Sequence, residues 1–380
     1  MNLLRGKSTK LTSYIATVVD ARLSMLYSGQ SSLKRSYSFV EEEQGRGLLF
    51  VLRYPSGLQL DSKTYFQLYD IIAPAIASVK TMIRPLTFQL VGIDDQQLET
   101  SQGFFFPWRD GRAKRLVGTI DEILEGYDLN KEVPIMDKIV VNRNVTTFLV
   151  TGTTGSGKTE ASKYFVQVFA RMKNRSKTKK ARVILFDPKK GAGARWAKLH
   201  DPSIELVVPH SGDRPEDYIP RCNAKLEELV SEINSKQNRI FENAKKVNAT
   251  VDDLDEPPTW AVFEEFEAVT LGMSPRSSQV QDLYRLLTQI ALMGRESKVG
   301  LCIVSQIARN DVIPIPIRSQ MLVKILLGVI DRSSTTYLFG DLSDDIPLPL
   351  GSVGSGIISI HDGYHYGIEP VEMPTVLEDE

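Results

Sequence analysis

The stretch Gly152-Thr153-Thr154-Gly155-Ser156-Gly157-Lys158-Thr159 constrains this chain more than any other. It follows an apolar, strand-like run, Thr147–Thr151, and opens a helical pattern with Ala161, Tyr164, Phe165, Val168 and Phe169 on one face. The spacing is G-x-x-x-x-G-K-[ST], a phosphate-cradling loop between a strand and a helix. Glycines let backbone N–H groups converge on an anion without Cβ clashes, and the helix N-terminus adds partial positive charge. Lys158 is then expected at the β- and γ-phosphates, and the Thr159 hydroxyl on Mg²⁺. A chance Gly/Ser/Thr turn would lack the strand on one side and the helix on the other.

Such a loop needs an acid on a neighbouring strand. Trp260-Ala261-Val262-Phe263-Glu264-Glu265 is an apolar run ending in two carboxylates. Glu264 is expected on the Mg²⁺ water shell and Glu265 as general base or water-positioner. The usual ending is Asp-Glu, so Glu264 departs from it. The plainer reading makes Glu264, Glu265 and Glu267 a solvated strand end. No Asn-Lys-x-Asp guanine reader follows the loop, and no Leu-Ser-Gly-Gly-Gln signature stands between it and Glu264. The nucleotide is therefore read as ATP.

The rest of the chain fits around this loop. From about Met136, short apolar strands alternate with longer helices, which argues for a parallel sheet with crossover helices. Strands are expected at Arg182–Asp187, Glu205–Val208, Trp260–Phe263, Leu301–Ser305, Leu322–Leu327 and Ile357–Ile360, with long helices at Cys222–Val247 and Val280–Met293. The fold class is α/β: a RecA-like P-loop NTPase with a mainly parallel sheet flanked by helices, plus a small N-terminal α+β region. The divisions read from the sequence are a polar leader at 1–44, the α+β region at 45–135, the motor domain at 136–366 and an acidic tail at 367–380. The leader is expected to be loosely ordered or a short helix, and the tail disordered after Pro374. A helix at Ser62–Val79 is expected to kink or break at Pro74.

Composition narrows the function classes. The formal net charge is −1, so polyanion binding must come from local patches. The two cysteines, Cys222 and Cys302, form no metal spacing. His361 and His365 lie in a turn-like string without an evident third ligand. No run is apolar enough for a signal peptide or membrane span, so a cytoplasmic protein is expected.

Several segments line up in order with one family. Leu149–Thr151 runs into the phosphate loop; then come Ile184–Phe186 with Asp187-Pro188-Lys189, Val262–Glu267, Gly294-Arg295 and Cys302–Gln306. Arg295 stands eleven residues before Gln306. In order and spacing, roughly residues 45–365 resemble the FtsK/SpoIIIE family of DNA translocases, most of all its conjugative coupling ATPases. The resemblance implies a ring-shaped homo-oligomer, a hexamer, with DNA through the centre and ATP between subunits. It matches Arg295 to an arginine finger on the neighbouring subunit's γ-phosphate, a device worth about 10³–10⁵ in turnover. It matches Gln306 to a γ-phosphate sensor. The alternative for Arg295 is a surface salt bridge, and for Gln306 a polar strand end. The membrane-spanning segment and winged helix of chromosome-segregating members have no counterpart here. That suggests transfer of a mobile element, with a membrane-bound or relaxase-type partner recruiting the motor to the inner face of the membrane.

DNA contact is expected through the backbone, without sequence preference. Arg171–Arg182 carries seven basic residues and no acid, and Lys189, Lys190, Arg195 and Lys198 follow. A solvated loop explains Arg171–Lys180 equally well. Arg276 and Arg309 are weaker pore candidates. The competing function is an ATP-gated scaffold of a secretion or packaging machine that moves no DNA.

Overall fold

The computed structural model describes residues 4–26, 36–94, 97–340, 351–365 and 367–377. They form two compact units, the first running to Ala113 and including Gly363–Pro370, the second taking the remainder from Lys114.

In the first unit, strands Gly6–Lys7, Tyr37–Glu42, Gly47–Leu52, Gln102–Asp110 and Lys80–Met82 lie in that order, antiparallel throughout, with Leu90–Gly92 also on Gln102–Asp110. Helices Lys10–Leu26 and Ser62–Ile76 contribute Ile15, Val19, Tyr65 and Tyr69 to one core with Phe50, Phe104 and Phe106 of the sheet. Leu49, Val51, Ile93 and Phe105 cluster separately. Every residue of Gly47–Leu52 is buried, which is why it reads as one unbroken apolar run.

Two expectations are corrected here. Of the two readings of the leader, the helix is the one found, and at 17 residues it is not short: its Ile15, Val19 and Leu23 recur at helical spacing and seal the first core. Residues 27–35 lie outside the described residues. Pro74 does not split its helix into two: Ser62–Ile76 runs through it and ends two residues later.

The second unit carries the parallel sheet. Its strands run in the order Glu205–Val207, Arg182–Phe186, Thr259–Phe263, Val299–Ser305, Thr147–Gly152, Val323–Leu327 and Ser355–Ile360. All are parallel except the last. Each expected strand is present within two residues of its boundaries. Helix Lys158–Arg171 buries all five expected face residues, and Phe169 stacks on Trp260 at 3.8 Å between ring centroids. The long helices are Pro215–Asn243, which begins before Cys222 and stops short of the expected Val247, and Ser278–Ser297, which extends past Val280–Met293 at both ends.

The unit boundary also differs from the expected 135/136. Residues from Lys114 onward belong with the second unit: Val117–Gly118 pairs with Thr375–Val376, and the hairpin Glu132–Met136/Ile139–Asn142 receives the Tyr164 hydroxyl on the Pro134 carbonyl. The tail beyond Pro374 is thus partly strand, and Gly367–Glu372 before it is strand as well. Its residues 378–380 lie outside the described residues.

The leader correction is testable. Ile15→Ala is expected to destabilise the first unit by about 2–5 kcal/mol, seen as a lower urea midpoint in the transition that exposes Trp108. A loose leader would leave the midpoint unchanged.

Candidate functional site

The phosphate loop occupies the C-terminal edge of the parallel sheet. Gly152 closes its strand, Gly155 and Gly157 hold φ of 79° and 97°, and Lys158 begins the helix. These left-handed angles favour glycine. At Gly157 a Cβ would also lie 2.7 Å from the Gly354 nitrogen. Thr153, Thr154 and Thr159 are exposed, whereas Ser156 is buried with no partner for its hydroxyl. Lys158 Nζ donates to the Thr153 carbonyl at 2.9 Å. Burial pulls its ammonium below the usual lysine range, against the opposing pull of Glu265 and Glu267. A lysine folded over its own loop, facing two carboxylates, is a cation held ready for an anion.

The acids follow Thr259–Phe263, which is not the loop strand's neighbour as expected but one strand further off, with Val299–Ser305 between them. Glu265, just past Phe263, sits at φ 48°, uncommon for a non-glycine residue. Its Oε2 accepts from Lys189 Nζ at 2.6 Å and from Gln306 Nε2 at 3.1 Å. Burial alone would push its carboxyl up, but Lys189, a hydrogen bond with Glu267 and Gln306 together outweigh that and hold it below the usual range. Glu265 is therefore ionised at neutral pH. Glu267 accepts from Ser305 Oγ at 2.8 Å and from the Gln306 N–H at 3.1 Å, while its own burial and the neighbouring Glu265 push its carboxyl up.

Glu264 behaves differently. It is 5% exposed, and its Oε1 has no hydrogen-bond partner. A Cβ at Gly193 would lie 2.2 Å from that oxygen, so the glycine makes room for the longer acid. Burial raises the carboxyl to about 7, with Ser162 opposing and Asp187 adding to the rise. Ser162 lies one helical turn beyond Thr159.

The structure thus gathers Lys158, Glu264, Glu265 and Gln306 at one sheet edge, and Arg295 elsewhere. Arg295 is exposed in the last turn of Ser278–Ser297, just before the start of strand Val299–Ser305. Its side chain has no ion pair with a described residue. Seven residues of strand separate it from Gln306, about 20 Å at the usual rise per residue.

Asp187 is the residue sequence reasoning left without a role. Only 1% exposed, it accepts backbone N–H groups of Lys189 at 2.9 Å and Gly191 at 2.6 Å, shaping the turn that presents Lys189 to Glu265. Its signal was present in the strand end Asp187-Pro188-Lys189. Glu267 likewise stood in view as a third acid after Phe263.

The basic stretch is largely committed within the chain. Arg171 pairs with Asp121, Arg175 with Asp253, Lys177 with Asp128, and Arg182 with Glu205, Glu228 and Glu232. Buried Asn174 donates to Ser176, Thr178 and the Asp255 carbonyl, ordering the loop. The exposed cations left over include Lys173, Lys179 and Lys180, with Lys190, Arg195 and Lys198 beyond. Arg309 pairs with Asp311.

No protein-family model matches the chain, and no curated protein sequence does. Solved structures do. The pCW3 conjugation coupling protein TcpA, in monomer form with ATPγS, matches over 96% of this chain and 95% of its own at 12% identity, with a TM-score of 0.52. ATPases 2 and 3 of EssC from Geobacillus thermodenitrificans match 66% of this chain and 46% of theirs at 17% identity, with a TM-score of 0.46. The genome packaging NTPase B204 of Sulfolobus turreted icosahedral virus 2 covers 62% of this chain at 13% identity, with a TM-score of 0.38. The chain has the fold of the coupling protein. The RecA-like P-loop architecture that the FtsK/SpoIIIE resemblance implied is the architecture found. Among the described residues no helix is long and apolar enough to cross a membrane.

Glu264 makes stability depend on pH. Its folded-state carboxyl titrates near 7, above the unfolded value, so the folded chain holds the extra proton in between. Stability then falls as pH rises through that window, by up to about 1.4 kcal/mol per pH unit. Glu264→Gln is expected to raise the melting temperature more at pH 8 than at pH 5. Equal shifts at both would refute the assignment.

Proposed function

We propose that this chain is an ATP-driven motor that moves DNA, alone or as a protein conjugate, through a ring of identical subunits during DNA transfer. The observation that carries the reading is the gathering of a phosphate loop, an ionised glutamate and a strand-end glutamine at one sheet edge. The full-length likeness in fold to TcpA, a conjugation coupling protein solved with ATPγS, supports it.

The residues present fit MgATP. The glycine-lined loop and the Lys158 ammonium would take the β- and γ-phosphates, and the exposed Thr159 hydroxyl would face the metal. Bound Mg²⁺ would supply charge neutralisation between the phosphates. Glu265 is ionised and half a turn from the strand end, so it can accept a proton from an attacking water, the role of a general base. Gln306 touches that same carboxylate, and a displacement of its amide by phosphate would be felt directly by Glu265. Glu264 would reach the metal's water shell once opposing positive charge favours its ionised form.

Arg295 cannot serve its own loop, since a strand's length lies between them. Its exposure, with no ion pair among the described residues, suits donation to a neighbouring subunit. DNA would lie against exposed cations such as Lys190, Arg195 and Lys198, through phosphate contacts and with strong salt dependence. The ring number, taken as six, and a membrane-bound or relaxase-type partner rest on the family resemblance.

Phosphate release with and without DNA tests the reading. Lys158→Ala is expected to abolish turnover. Glu265→Gln should lower it about 10²–10⁴-fold and Arg295→Ala about 10³–10⁵-fold, both with MgATP binding retained. Mixing Lys158→Ala with Arg295→Ala subunits should restore part of the activity, because mixed interfaces pair an intact loop with an intact arginine. Robust ATPase activity indifferent to duplex and single-stranded DNA would favour the ATP-gated scaffold instead.

A further inference from the structure

At the sheet edge away from the phosphate loop, a cluster of buried charge stands beside the helix end that carries Arg295. Lys298, the residue between helix Ser278–Ser297 and strand Val299–Ser305, is 2% exposed. Its φ of 52° is left-handed, the conformation in which helices commonly end on glycine. Glycine would adopt it without strain, whereas a lysine there adds both a Cβ and a charge to be buried. The ammonium donates to Asn144 Oδ1 and to the Arg143 carbonyl at 3.5 Å, and lies 3.7 Å from Asp252 Oδ2. Arg143, 5% exposed, donates to Asp252 Oδ1 and to the Lys173 carbonyl, each at 2.9 Å, and to Asn130 Oδ1. Two buried cations thus share one carboxylate, so removing one member leaves another's charge uncompensated.

The backbone around Lys298 ties the same helix end. The last carbonyls of a helix have no partner within it; those of Met293, Gly294 and Arg295 all find one here. The Lys298 N–H donates to the Arg295 carbonyl at 3.4 Å and to that of Gly294, which also accepts from Ser297 Oγ at 3.2 Å. Gln237 Nε2 donates to the Met293 carbonyl at 3.3 Å. The Lys298 carbonyl accepts from the Thr259 N–H at 2.9 Å, joining the helix end to the start of the strand that leads to the acids. A Cβ on Gly294 would lie 2.0 Å from the Val299 carbonyl oxygen, so the last turn is pressed against the strand that follows it.

Arg295 itself is exposed. An exposed side chain therefore stands on a backbone whose carbonyls are bonded and whose next residue but two is anchored by a buried charge. A group that must meet a phosphate on another subunit gains from such a mount, since its alignment is settled before the subunits meet. Misplacement by about 1 Å can cost about 10²-fold in rate.

We propose that Lys298 is a positioning residue for Arg295: anchored on Asn144, the Arg143 carbonyl and Asp252, it holds the last helical turn so that the arginine is presented to the neighbouring subunit's phosphates. The inference rests on the reading of Arg295 as a residue that acts in trans, and deepens it. Lys298 touches no nucleotide and acts only through the turn it caps.

Phosphate release from mixed subunits gives a readout that a general folding defect would not. Lys298→Met keeps the stem and loses the charge; Lys298→Gly relieves the backbone and loses the anchor. Each is expected to lower turnover about 10²-fold, with MgATP binding within about twofold of wild type. A Lys298 variant keeps a working phosphate loop and lends a poor arginine. Mixing it with Lys158→Ala subunits, which lend a good arginine, should restore part of the activity. Mixing it with Arg295→Ala subunits should not, because no interface then holds a well-placed arginine. Asp252→Asn, at the partly exposed end of the cluster, should show the same asymmetry with a smaller loss and keeps the test open if the lysine variants do not fold. Wild-type turnover in all three variants, or equal rescue by the two partners, would overturn the positioning role. If Arg295→Ala itself keeps full turnover, the trans-acting arginine falls and the positioning role with it.

Discussion

Parallel strand pairing in one register is the constraint on which the site depends. Thr151 lies opposite Ser305, Ile303 opposite Phe263, and Phe263 opposite Phe186. Each strand ends within two or three residues of its neighbour's end. The loop after Thr147–Gly152, the acids after Phe263, Gln306 after Ser305 and Asp187 after Phe186 therefore emerge along one edge. In an antiparallel sheet the same motifs would alternate between opposite edges. A crossover helix between successive strands enforces the arrangement, since it returns the chain to the same starting edge each time. The stacked pairs Phe169–Trp260 and Phe186–Phe263, the latter at 4.1 Å between centroids, hold the helix and strands in that register from within the core.

At that edge two carboxylates adjacent in sequence are driven in opposite pKa directions by their surroundings. Glu265 meets an ammonium and an amide, so it stays ionised. Glu264 turns into the core, where burial and Asp187 favour its protonated form. Backbone geometry makes the separation possible: the left-handed turn at Glu265 directs successive side chains apart. Groups whose environments split their pKa values are a mark of sites built for proton traffic. The plain alternative, a solvated strand end, would leave all three glutamates exposed, and none of the three is.

The sequence made the second unit legible because its strands are buried on both faces and its loop motif is unambiguous. The Val299–Ser305 and Thr147–Gly152 strands read as continuous apolar runs, and the helix face from Ala161 to Phe169 has a clean period. What stayed hidden depends on pairing distant in sequence. Lys10–Leu26 looked like a leader because its apolar periodicity is weak, and the elements it packs against, Tyr37–Glu42 and Ser62–Ile76, lie well downstream. Val117–Gly118 is two residues long, and nothing near it announces its union with Thr375–Val376. The seven cations of Arg171–Arg182 looked like one patch. The acids that pair with Arg171, Arg175, Lys177 and Arg182, from Asp121 to Asp253, are scattered along the chain, so that partial neutralisation was invisible.

Arg295 and Glu264 show two ways a motif can depart from simple expectation and still be physically coherent. For Arg295 the separation from its own loop is informative. An exposed cation on the far edge contributes nothing to a lone subunit's chemistry, and a surface ion pair with a neighbouring acid, the plain alternative, does not form among the described residues. For Glu264 the extra methylene relative to aspartate has to go somewhere, and the side chain lies against Gly193, where any Cβ would clash. The departure from Asp-Glu is thus matched by a glycine in the first turn of helix Ala192–His200, while Asp187 adds to the rise that burial gives Glu264's carboxyl. A longer acid, a small neighbour and a second carboxylate make one local solution, in which a bound cation, by favouring the ionised form, would draw Glu264 outward.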